Sequence, residues 1–173
     1  DRIVGLAYHD RYLNAPLPVA LLLDFVCALR GVADDAWDVR QVELRVSPVP
    51  EALMARMPPS KVWHNWASNE ERDQALVAAF EYAGLELSLE TLTKSDAIHA
   101  RRLDISFASG KKLQVWLDQG FSYWQIPRER NLSGGRSWFP FSGDKERQAE
   151  SIGRAEFRIE GQTYPTYVFL GWS

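Results

Sequence analysis

Between Leu103 and Leu117 apolar residues recur at every second position on either side of a Ser-Gly pair: Leu103, Ile105 and Phe107, then Leu113, Val115 and Leu117, with Ser109 and Gly110 between them. A period of two sends alternate side chains to opposite faces of an extended chain, and a glycine-containing break of this length lets the chain reverse. The segment therefore predicts a β-hairpin with one buried face. A lone hairpin cannot cover such a face, so the remaining chain must supply more strands or helices.

It supplies both. Ile3 to Ala7 forms a short apolar run before His9, Asp10 and Arg11 and reads as a buried strand ending in a polar turn. A helix follows, with Pro18 in its first turn, Leu21, Leu22, Phe25 and Leu29 on its apolar face and Gly31 at its stop. Val42, Leu44 and Val46 alternate with Glu43 and Arg45 before Pro48 and Pro50, which predicts a second strand. Ser68 and Glu71 have capping-box spacing, Leu76, Val77 and Phe80 repeat at helical intervals, and Gly84 closes a second helix. Leu85, Leu87 and Leu89 make a third strand ahead of the hairpin. Pro127 to Ser142, centred on Ser133, Gly134 and Gly135, reads as a long exposed loop, a type that is often functional. A helix from about Asp144 to Gly153 and strands over Phe157 to Ile159 and Tyr164 to Leu170 complete the order. The fold class is α/β, with residues 1–173 as a single domain.

Charge and composition narrow the function. A formal net charge of −3 argues against a basic surface spread over the whole domain, although 15 of the 20 basic residues are Arg, whose planar fork suits phosphate and carboxylate. No apolar run reaches the ~18 residues that a membrane-spanning helix needs. The single cysteine, Cys27, excludes an internal disulfide framework and points to a reducing, cytoplasmic setting. The chain opens on Asp1, which reads as a fragment of a larger protein. His9, His64 and His99 are scattered, so no metal site is expected, and neither phosphate-loop and dinucleotide glycine patterns nor a G-x-S-x-G elbow occurs. No cofactor is implied.

His99-Ala100-Arg101 heads the strand leading to Phe107, and alternation puts His99 and Arg101 on the face of Leu103, Ile105 and Phe107. An imidazole beside a guanidinium suits a phosphate oxygen, and the imidazole is also a candidate nucleophile. His9-Asp10-Arg11 repeats the spacing at the end of the first strand. The competing reading makes both copies ordinary polar residues at a sheet end.

The series Asp10-Arg11-Tyr12-Leu13, Ile98-His99-Ala100-Arg101-Arg102-Leu103 and Leu117-Asp118-Gln119-Gly120-Phe121-Ser122-Tyr123-Trp124 resembles, in order and spacing over most of the chain, the phospholipase-D-like C-terminal domain of MIT-domain proteins. The sequence departs from that pattern at Ala100 and Ser106, and Arg stands in both copies where phospholipase-D-type sites carry Lys. Pro16 and Ser106 occupy the positions of the Asp that follows. The resemblance implies a mixed sheet with helices on both faces, a degenerate phosphodiesterase site and a tendency to form homodimers. It also resembles bacterial versions attached to helicase-type proteins of phage defence.

Three functional readings follow. The first is a non-catalytic accessory module that binds nucleic-acid backbone through Arg11, Tyr12, His99, Arg101 and the loop residues Arg128, Arg130 and Arg136. In it Asp118 completes the site, Tyr123, Trp124 and Trp138 stack on unpaired bases, and the remainder of the parent protein is the constant partner. The second is a phosphodiesterase or nuclease with His99 as nucleophile, His9 as general acid and Asp118 orienting an imidazole. The third is a binder of acidic lipid headgroups, against which stands the absence of a polybasic segment beside an amphipathic helix. A domain that only docks within its parent protein is the plain alternative.

Overall fold

In the computed structural model, which describes residues 1–11, 13, 16–49, 66, 68–93, 101–118, 120–121, 124–125, 156–157 and 168–173, the alternating segments are strands of one mixed sheet. These are β1 (Ile3–His9), β2 (Gln41–Val46), β3 (Glu86–Thr91), β4 (Arg101–Phe107), β5 (Lys112–Leu117) and β8 (Val168–Trp172). Two two-residue strands, β6 (Trp124–Gln125) and β7 (Glu156–Phe157), pair with each other. The described helices are α1 (Pro16–Ala33) and α2 (Asn69–Tyr82).

The sheet order is β3-β2-β1-β4-β5-β8. β1, β2 and β3 run parallel, while β4, β5 and β8 are each antiparallel to the strand before them in that order. The expected hairpin forms with Leu103 opposite Val115 and Ile105 opposite Leu113, reversing at Gly110, whose φ is +85°. β1 is the seam between the halves. It pairs in parallel with β2 and antiparallel with β4.

Cross-strand partners share a face, so the register sorts every side chain. Leu6 and Tyr8 of β1 align with Val42 and Leu44 of β2 and with Ile105 and Leu103 of β4, and all six are buried in one core. On the other face Ala7 and His9 align with Glu43 and Arg45 on one side and with Asp104 and Arg102 on the other. A register shift between Ile3 and Gly5 lets Ile3 turn to the core beside Phe107 while Val4 is left exposed.

Both crossovers, β1-α1-β2 and β2-α2-β3, step the same way across the sheet. Right-handed connections of that kind put their helices on the same side. α1 and α2 accordingly touch each other and bury Val19, Leu22, Leu23 and Val26 of the one, and Ala75, Leu76, Ala79 and Phe80 of the other, against the apolar face. Among the described residues the helical cover lies on one face, and the other carries polar side chains. Leu22 and Leu29 face the core as predicted, but Phe25 and Val77 are exposed.

Local signals set the helix ends. Ser68 Oγ accepts the backbone N–H of Glu71 at 3.0 Å, an N-cap, and Gly84 at φ +69° follows the C-cap. Arg30 of α1 donates to the Ala83 carbonyl at 3.0 Å, binding the two helices at that end. Arg72, fully buried, donates to the Ser47 carbonyl at 2.6 Å and to Thr91 Oγ1 at 3.2 Å, and its charge is met by Asp73 at 2.8 Å. One guanidinium thus ties α2 to the ends of β2 and β3. The last strand is found over Val168–Trp172. The loop expected over 127–142, the helix over 144–153 and residues 164–167 of the last predicted strand lie outside the described residues.

Candidate functional site

The residues singled out in the sequence fall on opposite sides of β1. Tyr8 points into the core and its O–H donates to Asp10 Oδ2 at 3.0 Å, while the Asp10 backbone N–H donates to the Arg45 carbonyl at 3.0 Å. Asp10 is itself buried, and its Oδ1 lies 3.8 Å from Arg101 Nε. Arg101 Nη1 in turn donates to the Asp118 carbonyl at 2.6 Å. A carboxylate this enclosed requires a cation, and the first residue of β4 provides it. Burial, and then the neighbouring Asp10 carboxylate, push the Tyr8 phenol well above its ordinary range, so Tyr8 stays a protonated donor.

The segment after β5 is moulded over this ion pair. Gly120 has φ +58°, and a Cβ there would stand 2.7 Å from Arg101 Cδ and 3.1 Å from Asp10 Oδ2. The glycine lets the backbone lie on the guanidinium stem. The ring of Phe121 then sits 5.8 Å from that of Tyr8 and 6.1 Å from that of Phe25. Asp10, Arg101, the Asp118 carbonyl, Gly120 and Phe121 thus meet in three dimensions as a clamp joining β1, β4 and the chain beyond β5.

His9 is on the other face, and Asp10 rather than His9 meets Arg101. His9 is 5% exposed. Its Nε2 is 3.3 Å from Asp104 Oδ2, without the alignment of a hydrogen bond. Arg102 Nη2 donates to the same Asp104 oxygen at 2.7 Å, and Arg102 lies over the Trp116 ring at 5.2 Å. Burial first, then the Arg102 guanidinium, lower the imidazole pKa from 6.5 against the upward pull of Asp104. His9 is neutral at pH 7. Among the described residues His9 Nε2, Arg102 Nε and Asp104 Oδ1 are buried without a hydrogen bond.

The small outward residues Gly5 and Ala7 leave a trough along β1 on this face. The cleft has a volume of about 470 Å³, with His9 at one end and walls that include Gln41, Glu43 and Arg45 of β2 and Asp104 and Ser106 of β4. Arg45 is held by Glu90 at 2.9 Å and Glu43 at 3.4 Å. Successive registers place Glu90, Arg45, His9, Arg102, Trp116 and Phe169 in one row across all six strands.

Of the predicted site residues, the structure joins Arg101 to the Asp118 backbone and seats Arg11 in the turn after β1. Trp124 is in β6. His99, Tyr12, Tyr123, Arg128, Arg130, Arg136 and Trp138 lie outside the described residues. The sequence reading missed Tyr8, Arg45, Arg102, Asp104 and Trp116 as site residues. Alternation alone separates His9 from Tyr8, but nothing local marks which strands flank β1. Among the described residues no helix is long and apolar enough to cross a membrane.

Comparison with curated proteins finds no match. Residues 1–172 match the family described as the C-terminal domain of the DEAD/DEAH box helicase YjiV, and with nearly the whole length matched the chain belongs to that family.

Proposed function

We propose that this domain is a non-catalytic accessory module of a cytoplasmic, helicase-type protein, and that it contacts the phosphate backbone of nucleic acid through the polar face of its sheet. The observation that carries this reading is the set Arg45, His9 and Arg102, side by side on three adjacent strands, with Arg45 and His9 lining an open cleft. Arginine on a sheet face offers several donors in a fixed fork, which phosphate oxygens accept. Arg11 and the loop residues Arg128, Arg130 and Arg136 add cations to the same task. A phospholipase-D-like ancestry fits this reading as well, with Arg101, at the position where such sites carry Lys, turned to the Asp10 carboxylate. A parent protein in phage defence belongs to the same proposal.

The absence of turnover is supported by Pro16 and Ser106, which occupy the positions of the Asp that phospholipase-D-type sites carry. Arg101 is engaged by Asp10 and the Asp118 carbonyl on the apolar side, whereas His9 faces Asp104 on the polar side. The Arg of one motif and the His of the other thus stand on opposite faces, whereas groups that act on one phosphate must share a pocket.

The test is fluorescence anisotropy with a labelled oligonucleotide at several salt concentrations. Binding should be weak and salt-dependent, and replacing Arg45 and Arg102 together by Gln should weaken it several-fold. The log–log salt slope should fall by roughly 1.4, about 0.7 for each backbone contact to a single strand. A folded double variant that binds like the parent would overturn the assignment of this face. Metal-independent cleavage of the oligonucleotide, lost in His99→Ala, would overturn the non-catalytic reading.

A further inference from the structure

The row across the polar face changes character along its length, and that change bears on what kind of nucleic acid it fits. Glu90, Arg45, His9 and Arg102 are charged or polar, and Trp116 and Phe169 are aromatic. With neighbouring strands about 4.8 Å apart, the five residues from Arg45 to Phe169 span roughly 19 Å. Phe169 is 60% exposed, and the Trp116 ring, half-buried, already has the Arg102 guanidinium stacked over it at 5.2 Å.

Charge decides between duplex and single strand. Duplex binders present a surplus of cations to two phosphate backbones. Here Glu90, Glu43 and Asp104 stand among the guanidiniums at 2.9, 3.4 and 2.7 Å, so the face carries little surplus positive charge. Electrostatics alone supports only loose contact, and tighter binding requires another source of affinity. Exposed aromatic rings on a sheet provide one, because an unpaired base stacks on a ring whereas a paired base is covered above and below by its neighbours.

We infer that the polar sheet face is a single-strand-selective site: the backbone lies over β1 and β4 beside Arg45 and Arg102, and unpaired bases reach sideways onto Trp116 and Phe169. This inference rests on the backbone-binding reading above and adds the substrate class. The buried donors and acceptor of Arg102, His9 and Asp104 sit beneath that backbone path. Asp104 acts as a positioning residue that holds Arg102 between His9 and Trp116.

The experiment compares a labelled single-stranded oligonucleotide with the blunt duplex of the same sequence, both at low salt, using the 173-residue chain. The single strand should bind at least tenfold more tightly. Phe169→Ala, at a position 60% exposed and with folding checked by circular dichroism, should lower single-strand affinity about tenfold, as removal of a stacking ring does elsewhere, and change duplex binding far less. Trp116→Phe, which keeps a ring, should retain the selectivity, whereas Trp116→Leu should lose it. Equal binding of both forms, with Phe169→Ala silent, overturns the stacking inference and leaves the backbone reading standing. Failure to bind either form overturns both.

Discussion

A methyl group at position 120 has nowhere to go. The backbone there is left-handed, at a cost of about 1–2 kcal/mol to a non-glycine residue, and the new carbon would meet Arg101 Cδ at 2.7 Å. Arg101 cannot swing aside without leaving Asp10 buried and uncompensated. Gly120→Ala is therefore expected to lose about 2 kcal/mol or more in urea unfolding, through the midpoint and not the slope. A variant within about 0.5 kcal/mol of the parent would mean that the Asp118–Phe121 segment is not seated on the ion pair. His9 gives a pH signature of definite sign. Its folded pKa lies below the unfolded value of 6.5, so the full contribution to stability is present above pH 6.5. As pH falls from there, the unfolded chain takes up a proton that burial and Arg102 deny the folded one, and stability is lost as pH passes down through the folded value. His9→Gln should remove this part of the decline between pH 7 and 5. Superimposable pH profiles of variant and parent would sink the assignment.

Among the elements, those whose signal is local were legible. Alternation about Ser109 and Gly110 defined both strands of the hairpin and its register, and the Ser68 cap and Gly84 stop bounded α2 within a residue or two. Helix phase was harder to read. α1 carries apolar residues around much of its circumference, so Phe25 looked like core and is instead partly exposed where it meets Phe121. Val77 is excluded from the core because Ala75, Leu76, Ala79 and Phe80 already fill the α2 contact. The candidate site was less legible than the fold. The clamp was visible as separate sequence stretches, but which partner Arg101 would take depended on the turn after β1. The row from Arg45 to Phe169 depended on strand order. Lys112, Gln114 and Trp116, read along the chain, look only like the outward side of a hairpin. Beside Arg102 and Phe169 the last of them becomes part of a surface.

For the whole molecule, the decisive feature is that β1 joins a parallel half to an antiparallel half. No property of residues 3–9 announces this, since a buried central strand carries the same apolar run whichever way its neighbours point. The net charge of −3 was likewise informative only as a bound: it removed a basic surface over the whole domain but not an aromatic strip with two guanidiniums beside it. The seam also governs the order in which the molecule is assembled. His9 meets Arg102, 93 positions away, whereas Ser106 meets Lys112 after only six. The entropy of closing the longer loop is greater by roughly 2–3 kcal/mol. β1, the earliest of these six strands in chain order, is thus fixed on its second side only after the hairpin exists to receive it. In pulsed hydrogen exchange during refolding, the amides of Leu113 and Val115, which face β4 across the hairpin, are expected to gain protection ahead of those of Ala7 and His9, which face β4 across the seam. The reverse order would mean that the sheet closes from the seam outward; in the expected order β1 waits, with one hydrogen-bonding edge open, until β4 arrives already paired to β5.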